Sequence, residues 1–340
     1  MKTRTRLFEI DVLNCIAIIF VLFLHSSQLC HFVFEYEPVV VETRIMQSLF
    51  IPAVYIFFMN SGATLLGYRQ KYSTKEFYQR RLKKAAIPLI IWSVLYYFYD
   101  LRWTAFPGPI PHQQGSILDF LRAFATNHIN NTFWFLYVIL FLYVVTPIIS
   151  KLSKRKMLIL AGAVFILFDG LVYFTNICGY HSNQLDDYYH YMQYVADLGY
   201  FIIGYLIKEE YFSRKMENII VIIGMFMMLG TVVNATLPQS NPYLSFSPLM
   251  YSIGLYILVR RVVKKLNPSL QVKDFFAKAA SVSLGIYVTH PLMYHLFTKI
   301  IPVDWTNQIY IWLMPLLTYV IGGVILFWLK KLKFLRVLFP

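Results

Sequence analysis

Between Val12 and Val33 the chain carries no lysine, arginine, aspartate or glutamate. At 1.5 Å per residue, a helix of that length reaches across the hydrocarbon core of a bilayer. Nine further predominantly apolar runs follow, near 48–68, 85–101, 132–150, 157–175, 190–207, 218–236, 246–263, 279–300 and 307–329. Pro88 and Asp100 interrupt the run near 85–101, and Asp197 the run near 190–207. Backbone in lipid must satisfy its own hydrogen bonds, which an α-helix does within itself. The pattern predicts an all-α, polytopic membrane protein of about ten transmembrane helices. Composition agrees: 14% of residues are charged, against about a quarter in a soluble domain.

The net charge of +14 does not point to nucleic acid, because the basic residues sit in short runs between apolar segments rather than on one basic face. Their distribution instead sets topology, since cytoplasmic loops collect lysine and arginine. Segments 2–6, 69–84, 151–156, 208–215, 260–278 and 330–336 hold 27 of the 31 such residues, leaving Arg44, Arg102, Arg122 and Lys299 elsewhere. These segments are alternate loops and both ends of the chain, so both termini are expected to be cytoplasmic. The start, Met1 to Arg6 ahead of an apolar run, lacks a clear small-residue cleavage site and reads as a retained first helix. With no internal repeat or soluble segment, residues 1–340 read as a single integral membrane domain. Cys15, Cys30 and Cys178 have no metal-ligand spacing, so no metal site is expected.

Helix 1 carries His25 beyond mid-membrane on the outer side. Intramembrane ionisable groups usually face the bundle interior and mark a pathway or reaction centre, and a neutral imidazole suits general-base work. A hydrogen-bonded structural histidine is the alternative. At the cytoplasmic mouth of helix 3, Arg80, Arg81, Lys83 and Lys84 form a dense cationic patch. Guanidinium and ammonium groups suit the phosphates of a nucleotide such as coenzyme A, or simple anchoring to anionic lipid. Outward segments carry Trp103, His112 and His128, and then His181, Asp186, Asp187, Tyr188 and Tyr189, residues that suit carbohydrate or an ordinary aromatic belt. His290 stands beside Pro291 at a depth like that of His25, with a role in the same cavity or at a helix kink. Asp169 and Asp197 are further intramembrane acids.

Several stretches resemble the membrane acyltransferase-3 family: Asp11 through His25, Phe57-Phe58-Met59-Asn60-Ser61-Gly62, Arg81 with Pro88, Asn131 through Tyr137 with Tyr143 and Pro147, and Ser283 through His290. The resemblance implies transfer of an acyl group, most often acetyl, from a cytoplasmic acyl-CoA donor to a hydroxyl of a cell-surface polysaccharide or lipid-linked sugar. His25 matches the family's catalytic histidine, acting either as base on the acceptor hydroxyl or as carrier of a transient acyl-imidazole, and Arg81 matches its helix 3 arginine, so Arg80, Arg81 and Lys84 are expected to hold the donor's phosphates. Asn14, Ser61, Trp134 and His290 are expected to contact substrate. Many members carry arginine where this chain has Asn14, and Asn60 replaces the usual apolar residue. The expected setting is a cell membrane, the bacterial cytoplasmic membrane, with acyl-CoA as donor and no permanently bound cofactor. A transporter or flippase for a glycan or lipid-linked sugar is the competing class, although neither two equivalent halves nor paired broken helices are visible.

Overall fold

A computed structural model describes residues 7–33, 35–102, 115–170, 183–237, 248–333 and 335–339, with the side chains of 169, 183–194 and 337 left aside. Among these residues the regular structure is helical throughout. Trp103, His112, Cys178 and His181 lie outside the described residues, as do the side chains of Asp169, Asp186, Asp187, Tyr188 and Tyr189. Cys15 and Cys30 are buried, and neither is in a disulfide among the described residues.

The helices are α1 (Phe8–Ser26), α2 (Pro38–Phe50), α3 (Pro52–Leu65), α4 (Thr74–Asp100), α5 (Ile117–Ala125), α6 (Trp134–Ile149), α7 (Lys154–Val164), α8 (Asn183–Lys208), α9 (Arg214–Ala235), α10 (Pro248–Lys265), α11 (Leu270–Ser281), α12 (Ser283–Ile300), α13 (Gln308–Leu317) and α14 (Gly323–Leu329). Five segments are long and apolar enough to cross a membrane: Phe8–Ser26, Pro38–Gln70, Asn131–Ile149, Arg214–Ala235 and Gln308–Leu329. The polar punctuation between apolar runs starts the helices. Ser153 and Ser213 cap α7 and α9 by accepting the amides of Lys156 and Met216, and Asn307 caps α13 through Ile309 N. Pro38 and Pro52 occupy first turns, where a missing N–H costs nothing.

The chain forms two compact units, Met1–Thr74 with Val145–Ala280, and Lys75–Val144 with Ser281–Pro340. In the first, α3 packs on α1, α8 and α10; α9 packs on α10 and α2; and α7 packs on α8. The α3/α8 crossing is backbone-close. A Cβ on Gly62 would lie 1.6 Å from the carbonyl oxygen of Phe201, and one on Gly204 would lie 2.1 Å from that of Met59. Small residues permit such approach, the usual way helices gain packing where lipid supplies no hydrophobic drive.

In the second unit, α12 packs on a π-helical turn, Thr318–Gly322, that joins α13 to α14. Pro291 interrupts α12 and cannot donate to the carbonyl of Tyr287. His290 Nδ1 takes that place, donating to Tyr287 O at 2.6 Å. One residue on, the Tyr96 hydroxyl from α4 inserts into the ladder, donating to Val288 O at 3.1 Å and accepting from Leu292 N at 3.2 Å. The kink thus has both of its loosened rungs satisfied. Tyr96→Phe leaves a buried N–H and C=O without this bridge and should cost about 1–3 kcal/mol, read as a lower unfolding midpoint of the detergent-solubilised protein.

Candidate functional site

In the first unit, polar side chains gather where α1 ends. His25 is half-buried in the last turn. The hydroxyls of Ser26 and Ser27 turn back to Phe23 O at 3.2 and 2.7 Å, so neither is an outward donor at this end. The last carbonyls of a helix need partners, and here α2 supplies them. Gln47 Nε2 lies 2.7 Å from Leu24 O, 3.1 Å from Ser27 O and 3.0 Å from Ser27 Oγ. In the short turn Gln28–His31 that follows α1, the Cys30 thiol donates to Ser27 O at 3.7 Å.

His25 Nδ1 lies 3.2 Å from Gln28 Nε2. With the amide nitrogen facing the ring, Gln28 donates and the imidazole proton sits on Nε2. With the amide turned over, Nδ1–H donates to Oε1 and the lone pair is on Nε2. The amide orientation therefore selects where a neutral His25 holds its proton.

The same corner holds Arg44, 3% exposed, on α2. Gln28, His31, Arg44 and Gln47 were not singled out from the sequence, yet Arg44 had a signal. It is one of four lysines and arginines outside the cationic loops, and Arg102, Arg122 and Lys299 are exposed whereas Arg44 is buried. A buried guanidinium in a membrane protein ordinarily serves a site or a network.

Asn14 and Ser61 occupy a separate layer. Asn60 Nδ2 donates to Asn14 Oδ1 at 3.0 Å, joining α3 to α1. Ser61, half-buried, follows in the next position, and the Thr64 hydroxyl folds back on the Asn60 and Ser61 carbonyls at 3.0 and 3.1 Å. The eleven-residue separation of Asn14 from His25 is about 16 Å along α1. His25 therefore has Gln28 as its immediate partner, and the paired asparagines form a second polar layer well below it.

The remaining candidates lie in the second unit. Arg80 is exposed and pairs with Glu76 one turn earlier on α4. Arg81 is half-buried, its Nε without a hydrogen-bond partner among the described residues, and Lys84 is exposed. Trp134, half-buried, begins α6 after a turn in which Asn130 Oδ1 accepts from Thr132 N at 3.0 Å and Thr132 Oγ1 at 2.7 Å. The Tyr287 hydroxyl donates to Thr132 O, tying α12 to the start of α6. His290, 1% exposed, lies against the Tyr287 and Tyr294 rings with Nδ1 engaged at the kink.

A family model described as an acyltransferase domain, acyltransferase-3, matches residues 7–330. No curated protein and no solved structure matches the chain.

Proposed function

Because the chain belongs to the acyltransferase-3 family and is a membrane acyltransferase by that membership, we propose that it moves an acyl group, acetyl in the first instance, from cytoplasmic acyl-CoA to a hydroxyl of a cell-surface polysaccharide or lipid-linked sugar. The observation that carries the proposal is His25, an ionisable side chain in the last turn of an apolar span, held at Nδ1 by Gln28. A partner on Nδ1 holds the ring in place and leaves Nε2 for the reacting proton.

In this reading the chain crosses the membrane ten times with both termini in the cytoplasm, and the outer end of α1 meets the acceptor. With the Gln28 amide turned so that Nδ1 donates, His25 Nε2 takes the proton of the acceptor hydroxyl. The oxygen attacks the thioester carbonyl, the C–S bond breaks, and the imidazolium returns its proton to the departing CoA thiolate. Arg80, Arg81 and Lys84 hold the donor's phosphates as charge-assisted partners. Asn14, Ser61, Trp134 and His290 are the proposed substrate-contacting residues.

Membranes containing the protein, supplied with acetyl-labelled CoA, test the assignment. Label should pass into an envelope glycan as a base-labile ester. Glycan export that depends on the protein without any label transfer would instead identify a transporter. Gln28→Leu should lower kcat about tenfold with little change in KM, since it disturbs ring orientation rather than binding.

A further inference from the structure

A second site lies in the first unit, at the charged end of α9 and α10. A cavity of about 460 Å³ opens there, a size suited to a small-molecule headgroup and much larger than a single inorganic ion needs. Arg214, Arg260, Arg261, Lys264 and Lys265 contribute five positive charges to its wall, against two carboxylates, Glu210 and Glu217.

The wall is built rather than incidental. Arg260, 8% exposed, donates to the carbonyls of Ile207 and Lys208 at 2.7 and 3.2 Å, closing the end of α8. Arg261 grips Glu217 Oε2 at 3.0 and 2.6 Å and Asn218 Oδ1 at 2.7 Å. Lys264 Nζ lies 3.1 Å from Glu210, whose carboxyl it holds below the ordinary carboxylate range. With both acids engaged, Arg214 and Lys265 stand at the rim as exposed cations, Arg214 only 3.8 Å from Glu217. Phe212 and Ile257 add an apolar lining.

The surface above this rim names the occupant. Along α9, Met216, Ile219, Ile223 and Phe226 lie on one face and are 41–70% exposed. Only 17% of the apolar window of α9 is buried in the protein, against 39–61% for the other four candidate spans. On α10, Leu258 and Val262 are likewise exposed, one turn from Arg261 and Lys265. A cationic pocket at the foot of two exposed apolar stripes matches a molecule with an anionic head and hydrocarbon tails.

The geometry points to a specific site for an anionic glycerophospholipid, its phosphate between Arg214, Lys264 and Lys265 and its acyl chains along the outer faces of α9 and α10. This goes beyond acyl transfer and does not depend on it. Electrostatic attraction to anionic headgroups adds up over the basic residues at a membrane surface, and a fixed pocket adds selectivity to it.

Native mass spectrometry of the full chain in detergent, titrated with phosphatidylglycerol or phosphatidylcholine, tests the site. The protein should retain one phosphatidylglycerol at least about tenfold more tightly than phosphatidylcholine. Arg214→Gln with Lys265→Gln should bring the two lipids level, whereas Lys273→Gln with Lys278→Gln, which removes equal charge from α11, should leave the preference in place. Because Arg214 and Lys265 are exposed, an unfolding midpoint like that of the unaltered protein is expected for the first pair. Equal loss from both pairs, or none from the first, would overturn the proposal. So would displacement of the lipid by millimolar inorganic phosphate or adenosine 3′,5′-bisphosphate, which would mark a soluble anion's site. Burial of the α9 face in a lipid-free dimer would give that face to a second copy and sink the proposal equally.

Discussion

Alanine at His25 is expected to lower acyl transfer by about 10²–10⁴-fold, the range lost when a positioned general base is removed. The protein should still insert and fold. The helix end beneath His25 keeps its partners through Gln47 and the Ser26 and Ser27 hydroxyls, none of which depends on the imidazole. The readout is label passed from acetyl-CoA to glycan per mole of purified protein, alongside a thermal unfolding midpoint. Full activity in His25→Ala would remove this residue from the chemistry. Loss of activity together with a collapsed midpoint would instead mark His25 as a structural part of the α1 end.

The largest effect on stability is expected from Gly62→Ala. The added methyl would sit 1.6 Å from the Phe201 carbonyl oxygen and 2.6 Å from its carbon. Both are main-chain atoms, so no rotamer change relieves the overlap and α3 and α8 must part. Overpacking typically costs about 1–3 kcal/mol, occasionally more, and a backbone clash belongs at or above the top of that range. Gly204→Ala should behave alike, its methyl falling 2.1 Å from Met59 O. At Gly162, on α7, an added methyl would meet nothing within 4 Å, so Gly162→Ala should be neutral or raise stability by about 0.5–1 kcal/mol through helix propensity. Comparing the three midpoints separates the crossing from glycine content in general. Equal midpoints for Gly62→Ala and Gly162→Ala would refute the close crossing.

Apolar runs were legible because lipid imposes a simple rule of length and hydropathy, and a helix lies over most of each run read from the sequence. The misses follow from the same rule. The run near 48–68 understated its element, since α2 begins at Pro38 and carries Glu42, Thr43 and Arg44, which dilute hydropathy while the helix continues. The short helices α5 and α11 passed unnoticed, being too short or too mixed to stand out against long apolar runs. The π-helical turn at Thr318–Gly322 lies inside a uniformly apolar stretch, where no change of composition marks a change of winding.

At the site, His25 was visible because an imidazole deep in an apolar run is conspicuous. Its neighbours were not. Gln28 and Gln47 are unremarkable polar residues near a span end, and Gln47 reaches α1 only through the packing of α2. For His290 the sequence offered both a site residue and a kink residue. The bond from Nδ1 to the carbonyl left open by Pro291 is a local consequence of that proline, and needs only their adjacency in the chain.

The Tyr96 bridge constrains how the protein is made. One of the two open rungs of α12, from Val288 O to Leu292 N, is completed by a hydroxyl 192 residues earlier in the chain. While α12 emerges from the ribosome its Leu292 amide and Val288 carbonyl have no such partner within the helix. Synthesis from the N-terminus brings α4 out first, so the donor is already waiting when the broken helix arrives. A rearranged chain that delivered α12 before α4 would have to hold that rung open until α4 arrived, and its assembly, rather than its final fold, is where the defect would first be seen.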